Sequence, residues 1–174
     1  MDLQELFNLQ TKLNNETFLK NDCYLYQVNS PRLEILTGTF EQLVTHIKTK
    51  PTSIVRVRIP QFNSGAWLDI DGPESWGIVQ DWWLNSYNLA QRQETSEFTD
   101  TTNWKWWRSK VNKKDANHAR VEAIDELHFW MSKCILLGLN AEDIDRIYKK
   151  KNEVNLNRQE EGYLTKKDDE KEIK

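Results

Sequence analysis

The chain has 174 residues, 38% of them hydrophobic and 11% aromatic, with 24 basic and 27 acidic side chains and a formal charge of −3. That length is one domain's worth of chain, long enough to bury a core. The near-balanced, slightly acidic surface argues against bulk nucleic-acid binding, which needs a basic face. No run approaches the roughly 18 consecutive apolar residues of a membrane span, and the N-terminus shows no basic start followed by an apolar stretch. A soluble, cytoplasmic protein with no signal peptide and no membrane contact is therefore expected. Cys23 and Cys134 lie far apart, and Cys134 sits in an apolar helical run. Unpaired, buried thiols in a reducing compartment fit that placement.

In chain order, residues 2–17 read as a helix, with Leu3, Leu6, Phe7, Leu9 and Leu13 forming a broad apolar stripe. The character changes between about 20 and 75. Residues 23–28 suggest a strand, punctuated by Asn29-Ser30-Pro31, and Phe40, Leu43, Val44 and Ile47 are spaced for a short amphipathic helix closed by Lys50-Pro51. Residues 54–59 alternate, with Val55, Val57 and Ile59 on one side and Arg56 and Arg58 on the other, which predicts a strand. Trp67–Ile70, between turn signals at Asn63-Ser64-Gly65 and Asp71-Gly72-Pro73, predicts another.

Helix resumes over 75–99, rich in Trp76, Ile78, Val79, Trp82, Trp83, Leu84 and Tyr87, and a bend is expected at Asn103–Trp107. A second long helix is predicted over 115–137, opened by Asp115 as N-cap and stopped by Gly138. A last helix begins at Asn140 or Asp143 and runs to about Gln159, and the densely charged 165–174 predicts a disordered tail. The expected fold is mainly α. A single domain over 1–164 forms a helical bundle, interrupted by a small α+β insertion at about 20–75 near the N-terminal third.

Four acidic residues carry the chemistry. Glu94 and Glu97 form an ExxE pair, and Glu122 and Asp125 form an ExxD pair. Residues three apart lie about 60° apart around a helix, so each pair shares one face. Two such helices side by side bring four carboxylates together, a self-repelling cluster unless cations occupy it. An ExxE alone is common on solvated helices. The second pair differs because it stands among Ala123, Ile124, Leu127, Phe129, Trp130 and Met131, where an unpartnered carboxylate is costly. Hard oxygen ligands without cysteine suit Mg²⁺, with Mn²⁺ as the alternative, and phosphates completing the shell.

A second constellation lies in the last helix. Lys151, Asn155 and Arg158 fall within about 60° of one another, presenting an ammonium, an amide and a guanidinium on one face. Such a face suits a triphosphate, and taken alone it equally suits a basic helix end that complements the dipole.

At this point the residues resemble a known family. Leu9-Gln10-Thr11-Lys12-Leu13-Asn14, Glu94-Thr95-Ser96-Glu97, Trp104-Lys105-Trp106-Trp107, the ExxDxxHF run from Glu122 to Phe129 and the run from Lys151 to Tyr163 stand in order. They are similar to five motifs of the all-α dimeric dUTPase family, within the MazG-like nucleoside triphosphate pyrophosphohydrolases. The resemblance implies Mg²⁺-dependent hydrolysis of a deoxyribonucleoside triphosphate, dUTP first, to monophosphate and pyrophosphate by a homodimer. It implies Glu94, Glu97, Glu122 and Asp125 as metal ligands, with Glu94 or Glu97 orienting the attacking water. Lys151, Asn155 and Arg158 would hold phosphates and ribose. Gln10 and Asn14 would read the base, with Trp104 or Trp107 stacking on it. His128 either touches substrate or packs beside the metal ligands. Core packing accounts for most of the eight tryptophans.

Other readings stay open. One is a dCTP or modified-pyrimidine pyrophosphatase, another a non-catalytic nucleotide sensor. A third is a single-strand-binding module using Lys105, Arg108, Lys110, Lys113 and Lys114 beside Trp104, Trp106 and Trp107. Net acidity argues against this last one.

Overall fold

The computed structural model describes residues 2–20, 25–28, 34–37, 55–58, 67–70, 73–110 and 115–160. Four helices are described: α1 (Leu3–Lys20), α2 (Pro73–Asp100), α3 (Ala116–Leu136) and α4 (Ala141–Glu160). Between α1 and α2 come four short strands, β1 (Leu25–Val28), β2 (Glu34–Thr37), β3 (Val55–Arg58) and β4 (Trp67–Ile70). They pair antiparallel in the order β2-β1-β3-β4. Three of these strands match the predicted ones, and β2 carries no alternation that foretold it. The expected helix around Phe40–Ile47 and the charged tail lie outside the described residues, as does Cys23.

The mainly α expectation holds for the core. Helix α3 starts where predicted because Asp115 Oδ1 accepts from the backbone N–H of Asn117 and His118, at 3.0 and 3.1 Å. It stops at Gly138, whose φ of +76 lies in the left-handed region that glycine enters without a Cβ clash. Helix α4 opens with reciprocal caps. The Asp143 N–H donates to Asn140 Oδ1 at 3.0 Å, and the Asn140 N–H donates to Asp143 Oδ2 at 3.2 Å.

Helices α2 and α3 form an antiparallel hairpin, and their contacts step in opposite directions along the chain. Gln80 donates to the Leu136 carbonyl at 2.6 Å, the Tyr87 and Phe129 rings lie 6.3 Å apart, and Glu94 meets Glu122. Helix α1 lies against α3, and α4 against α1. One core cluster joins Phe7 of α1 to Met131 and Cys134 of α3, with Leu127, Ile135, Leu139 and Ile144 around it. An aromatic cluster seals the far end, with the Phe18 ring 5.0 Å from that of Trp83 and Val79 fully buried. Cys134 is free and buried as expected, and burial pushes its thiol up, against the smaller opposing effect of Lys133. Among the described residues no helix is long and apolar enough to cross a membrane.

Candidate active site

Pairing α2 with α3 brings the ExxE and ExxD faces together. Glu94, Glu122 and Asp125 each offer one carboxylate oxygen, and these atoms lie within 4.8 Å of one another. Glu97 is not part of this close group. It is exposed, and its Oε1 accepts from Gln93 Nε2 at 2.9 Å. The reason is rotational: one turn beyond Glu94, its side chain leans about 60° away from the α3 face. Its charge still reaches the site. Partial burial, then the negative charges of Glu97, Asp125, Glu122 and Glu126, push the Glu94 carboxyl above the ordinary glutamate value.

Glu122 is the buried member. Its Oε1 accepts from His118 Nε2 at 2.6 Å, while its buried Oε2 has no hydrogen-bond partner among the described residues. A buried carboxylate oxygen without a donor is costly. Facing two further carboxylates, it fits a hard divalent cation, which Glu94, Glu122 and Asp125 would hold. Sequence reasoning passed over His118. The usable signal was its position one turn before Glu122, where an imidazole reaches the carboxylate on the same helix face.

Within about two turns beyond Asp125 along α3 lies a polar network with α1. Gln10, only 4% exposed, donates through Nε2 to Asn14 Oδ1 at 2.9 Å and to Ser132 Oγ at 3.0 Å. Its Oε1 meets His128 Nδ1 at 2.6 Å. Ser132 Oγ lies 3.1 Å from Asn14 Oδ1 and 3.0 Å from the His128 carbonyl. The structure thus joins Gln10, Asn14 and His128, three expected base-site residues, and adds Ser132, which the sequence reading missed. Beside them Asn14 lines a small hollow with Phe18, Tyr87, Ile135 and Leu136.

Trp104 and Trp107 stand elsewhere, on the exposed turn after α2. Their rings meet edge-on at 5.5 Å, Trp106 adds a third ring 5.7 Å from Trp107, and Lys105 Nζ sits 4.8 Å from the Trp104 ring. Trp104 Nε1 donates to Asp100 Oδ1 at 3.0 Å. On α4, Lys151 is half-buried, Asn155 exposed and Arg158 buried. The three residues of that face therefore differ in access.

Part of the chain is similar in sequence to known proteins. Residues 68–136 match the sequence profile of the dUTPase family. That stretch, which holds both acidic pairs, is similar to dUTPases. The chain is 35% identical over 71 residues to a dCTP pyrophosphatase of Enterobacteria phage LZ5, covering 34% of this chain and 41% of the relative. It is 31% identical over 71 residues to the dCTP pyrophosphatase of Enterobacteria phage T4, covering 34% of this chain and 42% of that protein. The match therefore spans well under half the length of either relative. No solved structure matches. Gln10, Asn14, Lys151, Asn155 and Arg158 fall outside the 68–136 region.

Proposed function

We propose that the protein hydrolyses a pyrimidine deoxyribonucleoside triphosphate, dUTP first, to the monophosphate and pyrophosphate, using Mg²⁺ or Mn²⁺. The observation that carries this reading is the meeting of Glu94, Glu122 and Asp125 within 4.8 Å on a helical hairpin that matches the dUTPase profile. Both phage relatives bear the name dCTP pyrophosphatase, which favours dCTP as a second substrate. The wider MazG-like kinship is part of the same reading.

Each residue has a place in the chemistry. Glu94, Glu122 and Asp125, with Glu97 at the rim, hold the cation. Bound there, a divalent cation neutralises charge developing on the phosphoryl oxygens and makes water a stronger nucleophile. Glu94 or Glu97 accepts a hydrogen bond from the attacking water and orients it. Water adds to the α-phosphorus as the bond to the bridging oxygen breaks, and pyrophosphate leaves. Lys151, Asn155 and Arg158 take phosphates and ribose. Gln10, Asn14 and His128 face the base, whereas Trp104 and Trp107 stand on the turn at the other end of the hairpin.

The same reading places the protein in the cytoplasm as a homodimer. Ile78, Leu89, Val121 and Ile124, all more than half exposed on the hairpin, give a second copy apolar surface to cover. Light scattering of the purified chain tests this, and a monomeric mass refutes it.

The activity is tested by incubating the protein with Mg²⁺ and each deoxyribonucleoside triphosphate, including dUTP, and following monophosphate and pyrophosphate. Release from dUTP or dCTP is the expected result. No release from any nucleotide refutes the hydrolase reading.

A further inference from the structure

The two oxygens of Glu122 stand in different surroundings. Oε1 accepts from His118 Nε2 at 2.6 Å, and because an ionised carboxylate can only accept, that ring nitrogen is the one that carries the proton. Oε2 is buried and meets no donor among the described residues. The Glu122 side chain is 8% exposed and that of His118 is 59% exposed. The imidazole therefore reaches one oxygen from the solvent side, and the other is left to the interior.

This bond is built into the start of α3. His118 stands one turn before Glu122, where a helix sets two side chains on one face. Its backbone is held as well, because the His118 N–H donates to Asp115 Oδ1 at 3.1 Å in the helix cap. The ring is thus carried on a capped turn and aimed at a carboxylate that packing has already taken out of water.

How many oxygens Glu122 can give matters to a cation. Glu94, Glu122 and Asp125 each offer one oxygen to a group of atoms within 4.8 Å of one another. Mg²⁺ demands near-ideal octahedral geometry, whereas Ca²⁺ takes a larger, looser shell and readily binds a carboxylate through both oxygens. With Oε1 committed to His118, Glu122 has a single oxygen to give. Without the imidazole, both oxygens would lack a donor, and a cation that takes both would relieve both. The close group consists of carboxylates, so His118 acts through Glu122 and is not a ligand.

We propose that His118 is a positioning residue that confines Glu122 to single-oxygen ligation and so tilts the site toward Mg²⁺ and away from Ca²⁺. This rests on the reading of Glu94, Glu122 and Asp125 as a cation site, and it assigns the choice between cations to a residue that touches none. Removing a group that orients a metal ligand weakens metal binding by about ten- to a hundredfold. Here the loss should fall on Mg²⁺, because Ca²⁺ gains the oxygen that is set free.

The test is calorimetric titration of the full chain, freed of metal by chelation, with Mg²⁺ alone and with Ca²⁺ alone, at one pH and without nucleotide. His118→Ala and His118→Leu are expected to lose about tenfold or more in Mg²⁺ affinity and little in Ca²⁺ affinity, so that the Ca²⁺-to-Mg²⁺ affinity ratio rises about tenfold. His118→Gln, whose amide nitrogen can stand in for Nε2, is expected to keep the wild-type ratio. Circular dichroism checks that the exposed substitution leaves the helices intact. A merely structural role would weaken both cations together and leave the ratio alone. An unchanged ratio in His118→Ala and His118→Leu overturns the proposal, as does a His118→Gln variant that behaves like them, or no binding of either cation to the wild type. A shifted ratio in a protein that turns over no triphosphate leaves the proposal standing and overturns only the hydrolase reading. Turnover with an unshifted ratio does the reverse.

Discussion

Helix α3 meets its two neighbours in opposite ways. In its first half, Glu122 and Asp125 face Glu94 of α2, like charge against like charge, and Glu122 Oε2 lacks a partner. In its second half, His128 and Ser132 face Gln10 and Asn14 of α1, and both ends of the Gln10 amide are hydrogen-bonded. The first contact sets like charges together, an arrangement compatible with a divalent cation between them. The second contact is satisfied from within the chain. One helix therefore carries a cluster of like charges and a self-sufficient polar contact within about two turns of each other, and the antiparallel hairpin keeps the acids in place. That hairpin is anchored at the far end by Gln80 on the Leu136 carbonyl and by Lys133 on Asn88 Oδ1, at 2.6 and 2.9 Å.

The sharpest break of this contrast is at the acids. Asp125→Asn keeps the shape of the side chain and removes a ligand charge. Turnover is expected to fall about a thousandfold, the order corresponding to several kcal/mol of charge stabilisation. Circular dichroism should stay unchanged. Full activity in this variant would remove Asp125 from the site.

A smaller effect separates the two halves of α3 by stability. If the carboxylates await a cation, adding Mg²⁺ at a hundred times its dissociation constant stabilises the wild type by about 2.7 kcal/mol. For a chain of this size that raises the melting midpoint by roughly 5–10 °C. Glu122→Gln should lose most of the increment, and chelation should reverse it in the wild type. Gln10→Leu makes the complementary change. It strands His128 Nδ1 and is expected to cost roughly 1–3 kcal/mol. The Mg²⁺ increment should survive it, measured by the same thermal melts. Equal loss of the increment in both variants would show that the two contacts form one unit.

The same contrast explains what the sequence made legible. Glu94, Glu122 and Asp125 were readable because a helix converts spacing directly into a shared face. Asp115 and Gly138 were readable because capping chemistry is local, written within a few residues of the helix ends. Glu97 shows the boundary of that logic. Its spacing was right, but which of two residues 60° apart turns toward a neighbour depends on how the helices pack, and packing is not local. Ser132 and His118 were passed over for a related reason. Ser132 gains meaning only from Gln10, far away in the chain, and a lone serine in an apolar run reads as filler. Strand β2 escaped because Glu34–Thr37 shows no alternation, and its pairing with β1 is set by the sheet.

The smallest expected effects concern carboxylates whose surroundings differ in sign. Glu94 is raised by partial burial and then by the negative charges around it, whereas Asp143 at the start of α4 is met by donors and lowered. The Arg146 guanidinium bonded to its side chain is the main cause, followed by the Asn140 N–H. A carboxyl lowered in the folded state stabilises the fold above its unfolded value of about 3.9, and that contribution is lost as pH falls through the folded value. A raised carboxyl does the reverse. Its cost is absent in acid, grows as pH rises through the unfolded value and is complete above the folded one. Asp143→Asn should therefore destabilise at neutral pH, with the difference closing below about pH 4. Glu94→Gln in metal-free protein should stabilise at neutral pH, and its difference should likewise close in acid. Asn140→Ala, which removes the partner cap without touching a charge, is expected to cost about 1 kcal/mol at every pH. Urea melts of the three variants across pH 3–8 read all of these slopes. A Glu94→Gln variant less stable than wild type in the absence of metal would mean that Glu94 is held by donors, and that the carboxylates of α2 and α3 do not await a cation.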